Sequence, residues 1–170
     1  MSLPYPDDSP EGLAARWVRW MAGFGPVRNP GAGSRMADGQ PTDVWFLSGT
    51  FGGTAVRRLT VPATRPLFFP VVCKWYDNAE GPPREIVDVT AALTVDGATF
   101  ALATIATPTP FEVRGAMWNP VTGTKAPVPV TVWGRWCRLE PLTPGEHVLH
   151  WQGADTYHYR EDTTVRLTVT

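Results

Sequence analysis

From Asp43 onward the side chains switch between apolar and polar at nearly every second residue, and no other feature restricts the fold of this chain so tightly. The final segment is the cleanest case: Val165, Leu167 and Val169 alternate with Thr164, Arg166 and Thr168. A period of two puts the two sets on opposite faces of an extended strand. Segments of this kind, rich in Val, Thr, Phe and Trp and separated by Gly or Pro, recur at 43–48, 55–61, 66–76, 91–95, 99–104, 128–139, 145–152 and 163–169. Asp96-Gly97 marks a tight hairpin and Pro144-Gly145 a second turn. Seven or eight short strands at this spacing predict a mainly β fold, either an antiparallel β-sandwich of jelly-roll type or a flattened barrel.

The front of the chain has a different period. Ser9-Pro10-Glu11 is a helix start, because the Ser hydroxyl caps free amides, Pro is tolerated in the first turn, and Glu suits the positive end of the dipole. Leu13, Trp17, Trp20 and Met21 then share one face, with Arg16 and Arg19 off it, over a helix at about 10–21 that Gly23, Gly25 and Pro26 end. This helix is expected to lay its tryptophans on the sheets. The expected organisation is one domain over 1–170: a loose leader at 1–8, the helix within 9–24, and the β-sandwich over 43–170. Residues 26–42 read as an irregular loop, 82–88 as a short helix or an extended excursion, and 106–129, with five prolines, as a long crossover loop.

At 170 residues the chain has one domain's length, and its 43% hydrophobic content suffices for a core without metals or many disulfides. A net charge of −1 supplies no field to draw in nucleic acid or an anionic membrane. No apolar run approaches the length of a membrane span, and residues 1–10 lack a secretory pattern, so a soluble cytoplasmic protein is expected. Cys73 and Cys137 are too few for a disulfide scaffold; they read as packed strand cysteines, with a single bridge as the alternative.

The motif Val44-Trp45-Phe46-Leu47-Ser48-Gly49-Thr50-Phe51-Gly52-Gly53 stands with Trp17, Trp20, Asn29-Pro30, Gln40, Val61-Pro62, Leu67-Phe68-Phe69-Pro70-Val71 and Pro144-Gly145-Glu146-His147. Together these resemble a group of uncharacterised bacterial proteins. The resemblance implies a shared β-rich fold and no assigned activity. Members of that group are often exported and carry cysteines before and after the central motif; here those regions have none.

Three histidines are available for chemistry: His147, His150 and His158. On a strand, His147 and His150 point to opposite faces, a poor pair for one metal, so neither metal nor cofactor is expected. Asp155, Tyr157, His158, Tyr159, Glu161 and Asp162 crowd one stretch that reads as a polar hairpin tip, with His158, His150 and Asp155 as candidate acid–base groups if the protein is an enzyme. Ser48 lacks the strand-to-helix elbow of a serine nucleophile, and Gly49 to Gly53 lack the lysine and helix of a phosphate loop. The glycines after Leu47 either turn a corner or leave room for a ligand; the corner is the preferred reading.

Eight tryptophans are the unusual count, and aromatics serve both cores and ring-stacking sites. Trp45, Trp75, Tyr76, Trp118, Trp133 and Trp136 are the candidate ligand contacts, lying in or beside long connections. Trp133 and Trp136 fall on opposite faces of one strand, so one of them is expected to be exposed if only one face is buried. The leading expectation is a domain that binds a small apolar or ring-bearing molecule. A metal-independent cyclase or hydrolase acting on a hydrophobic metabolite is the second reading, and a structural module that forms homo-oligomers the third.

Overall fold

The computed structural model describes residues 2–170; Met1, the first residue of the expected leader, lies outside them. The helix α1 spans Pro10–Ala22, and the Ser9 hydroxyl accepts from the Gly12 amide at 3.0 Å as its cap. Ten strands follow: β1 (Trp45–Phe46), β2 (Gly53–Val61), β3 (Leu67–Asp77), β4 (Thr90–Val95), β5 (Ala98–Phe100), β6 (Ala103–Ala106), β7 (Phe111–Val113), β8 (Val128–Leu139), β9 (Gly145–Ala154) and β10 (Arg160–Val169).

Two five-stranded sheets result. One has the order β1-β3-β8-β6 with β7 also on β8; the other runs β2-β10-β9-β4-β5. The expectation of a β-sandwich with one helix packed on it is met, as three layers with two separate cores. Trp17, Trp20 and Met21 pack with Phe46, Phe68, Val130 and Trp136 between α1 and the first sheet. Leu47, Phe69, Val71, Leu93, Leu149, Trp151, Val165 and Leu167 fill the space between the sheets. The first sheet is therefore covered on both faces.

That double cover corrects the expectation for Trp133 and Trp136. Both are buried, because β8 has no solvent face along this stretch. Pairing is antiparallel throughout except at one edge of each sheet, where β1 runs parallel to β3 and β2 parallel to β10. Parallel pairs need long crossovers rather than hairpins, and here the chain between β1 and β2 changes sheets at residues 47–52.

Other differences have local causes. The expected strand 99–104 divides at Ala101-Leu102, its first half pairing with β4 and its second with β8 in the opposite sheet. The expected loop 106–129 contributes β7 to β8. The expected strand 43–48 is only two residues long as a ladder on β3, and Gln40 fills its other edge: its side-chain oxygen accepts from Phe46 N at 2.7 Å, and its amide donates to Phe46 O at 2.8 Å. The leader is tied down at Tyr5, whose hydroxyl donates to Thr109 O and accepts from Thr109 N at 2.7 Å.

Candidate functional site

The residues at 47–52 turn the corner between the two sheets, and at that corner lies a cavity of about 300 Å³. Trp17 and Met21 of α1, Pro70, Val71, Cys73, Lys74 and Trp75 of β3, and Ser48 to Phe51 of the corner line it. Tyr159 and Glu161 complete the lining. The register of β3 against β8 slips between Pro70 and Val72, so β3 bulges where it borders the cavity. Gly153 of β9 faces that bulge, and a Cβ on it would meet Val72 Cγ2 at 2.2 Å. The indole rings of Trp17 and Trp75 lie 6.4 Å apart, centre to centre, on the cavity wall.

Glu161 is 7% exposed and is the one acidic side chain among the buried residues described. The alternation of β10 explains its direction: continuing Val169, Leu167, Val165 back by twos reaches Thr163 and then Glu161 on the inner face. Its Oε1 accepts from Trp151 Nε1 at 2.7 Å, Thr163 Oγ1 at 2.9 Å and Thr50 N at 3.2 Å. Its Oε2 accepts from the Tyr159 hydroxyl, which also lies 3.3 Å from Thr50 O. Burial pushes the Glu161 carboxyl above its ordinary range, against the opposing pull of these four hydrogen bonds. No basic side chain forms an ion pair with it among the described residues.

The surrounding groups are held away from ordinary reactivity. Burial pushes the Cys73 thiol and the Tyr159 hydroxyl up, so both stay protonated. Arg57 on β2 feels the Glu161 charge, but burial lowers its guanidinium, whose Nη2 donates to the Gly49 and Gly31 carbonyls at 3.3 and 3.5 Å while its buried Nε has no partner. Lys74 is exposed at the rim, its ammonium 5.5 Å from the centre of the Tyr76 ring and 5.6 Å from that of Tyr157.

Of the sequence candidates for ligand contact, Trp75 lines this cavity. Tyr76 is beside it through Lys74. Trp136 stacks on Phe68 at 5.2 Å and meets Trp17 edge-on at 5.4 Å inside the helix-side core. Trp133 is buried in β8 away from the cavity, Trp45 packs under Arg65 at 5.4 Å, and Trp118 stands 72% exposed on the loop before β8. The acid–base candidates are elsewhere: His150 meets Asp162 at 3.0 Å on the outer face of the second sheet, and Asp155 accepts from Tyr157 N and Tyr159 N to shape the turn that holds His158. That turn is the polar tip read from the sequence. Asn119, beside Trp118, is committed to closing its own loop through Val121 N and Thr122 N. Cys73 and Cys137 are both free thiols.

A second hollow of about 520 Å³ lies on strand ends of the second sheet, among Gly53, Thr54, Ala91, Gln152, Arg160 and Asp162. It has no aromatic wall.

No family model matches the chain, and no curated protein matches it. Among solved structures, one titled "Solution Structure of Amebosin" covers 69% of this chain and 96% of its own at 7% identity, with a TM-score of 0.24, which bears on neither fold nor function. No helix among the described residues is long and apolar enough to cross a membrane.

Proposed function

We propose that this protein is a small-molecule-binding domain that holds a ring-bearing ligand in the corner cavity, against the wall that Trp75 and Trp17 form and beside Glu161. One observation carries the reading: two tryptophan rings and a hydrogen-bonded buried carboxyl line the same cavity. Apolar walls with a few fixed polar groups are the usual make-up of a ligand site, and about 300 Å³ is the lower end of the size range for one. Binding is favoured over catalysis because Ser48 has no histidine near it and the Cys73 thiol is held neutral. Two unpaired cysteines support a cytoplasmic location, where thiols stay reduced.

The test uses N-phenyl-1-naphthylamine, an uncharged two-ring dye that brightens in apolar surroundings. Saturable brightening in the wild type, weakened about tenfold or more by Trp75→Ala, is the expected result. Dye binding that Trp75→Ala leaves untouched overturns the proposal.

A further inference from the structure

We infer that the cavity is built for a ligand carrying a single positive charge, a ring-bearing alkylamine whose ammonium group is received by Glu161. This rests on the reading of the cavity as a ligand site and adds the charge of what enters it. Three observations lead there.

The first is the state of the carboxyl. Buried acidic groups are ordinarily matched by a cation, because taking the charge out of water is otherwise unfavourable. Glu161 has four neutral donors and no ion-pair partner among the described residues, yet it lines the cavity. Three of the four donors converge on Oε1 and only the Tyr159 hydroxyl reaches Oε2. A carboxylate has about four acceptor positions, two on each oxygen, so Oε2 keeps one free.

The second is the wall. Trp75 is half-buried there, with Trp17 and Phe51 bordering the same space, and an indole's negative electron cloud favours a nearby cation as well as a ring.

The third is the placement of the other charges. Cys73 on β3 and Tyr159 before β10 face Glu161 and are kept neutral by burial. Arg57 on β2 turns its Nη2 to backbone carbonyls, and its charge favours ionisation of Glu161 without an ion pair between the two. Lys74 lies at the rim beside the Tyr76 and Tyr157 rings, so it puts a positive charge between solvent and the cavity. A ligand with a second positive charge at its outer end is repelled there. One cationic end inside and a neutral or anionic end outside suit both positions.

The experiment is competition against the bound dye by three compounds with the same ring and nearly the same length: 2-phenylethylamine, 2-phenylethanol and 3-phenylpropionate. The amine is expected to compete at least about tenfold better than the alcohol, the increment of one charge-assisted hydrogen bond, and the acid worst. In Glu161→Gln, which keeps a carbonyl acceptor for Trp151, Thr163 and Thr50, the advantage of the amine over the alcohol disappears. A measurement on the wild type stands beside it. The ammonium stays charged between pH 4 and 8, so amine affinity should fall with falling pH as Glu161 takes up its proton, while alcohol affinity stays flat.

Equal competition by amine and alcohol, stronger competition by the acid, or amine affinity independent of pH overturns the inference and leaves the dye-binding cavity standing. Failure of the dye itself to bind ends the cavity reading and this inference with it.

Discussion

Gly49 lies so close to Glu161 that a β-carbon added to it would stand 1.5 Å from Oε1 and 2.6 Å from the carboxyl carbon. Space, rather than backbone freedom, requires glycine at this position. Glu161 cannot simply swing aside, because its four hydrogen bonds and its burial hold it. Gly49→Ala is expected to lower stability by about 2–3 kcal/mol, the range of an overpacked core position that also loses hydrogen bonds. Urea unfolding checks it, and an unchanged midpoint would contradict the crowding.

Glu161 titrates above its ordinary value of 4.5 because it is buried. The folded protein therefore holds that proton more tightly than the unfolded chain does. This contribution to stability is full below the unfolded pKa and is lost as pH rises through the folded one. Relative to Glu161→Gln, the wild type should lose stability from about pH 4.5 upward and level off once pH passes the folded-state pKa. Asp43, Asp96 and Asp162, all lowered by their hydrogen-bond partners, act in the opposite sense but equally in both proteins. Denaturation midpoints of the pair at several pH values decide the matter; a difference that is constant or grows in favour of the wild type rejects it.

Gln40 gives both free backbone groups of Phe46 a partner at the outer edge of β1. Gln40→Ala leaves a buried donor and acceptor unmatched and should cost about 1–3 kcal/mol. The local signature is faster hydrogen exchange at the Phe46 amide, with the amides of β9 little changed. Uniform acceleration across the protein would show instead that the edge is not separately held.

Trp118 and Trp136 make a contrast within one residue type. Trp136→Ala removes a ring that is 1% exposed and packed on Phe68 and Trp17, an expected loss of about 3–5 kcal/mol. Trp118 is largely in water, and Trp118→Ala should change stability by no more than about 0.5 kcal/mol. Thermal melts of the two variants measure both.

The helix and seven of the strand regions were readable because each has a sustained period, and Ser9 announces the helix start by its hydroxyl. The division at Ala101-Leu102 was not, since nothing in Phe100 to Ala103 marks a change of sheet. Burial of both faces of β8 was equally hidden, because periodicity reports that two faces differ and not what covers them. The corner at 47–52 was legible as a corner. Its role in the cavity depends on Glu161, a residue 111 positions from Thr50 that the sequence shows only as part of a charged stretch. Carrying the alternation of β10 two steps further back would have turned Glu161 inward. Trp75 was accessible as an aromatic beside a long connection, whereas Trp17 had already been assigned to the helix–sheet core, where it also belongs.

The parallel pairing of β2 with β10 joins an early stretch of the polypeptide to a very late one. As the chain leaves the ribosome, β2 emerges long before its partner has been translated, and its ladder must wait exposed. Glu161 and Thr50 meet only when β10 has been made, so a nascent chain halted before residue 160 carries the helix and every strand of the first sheet but no chamber.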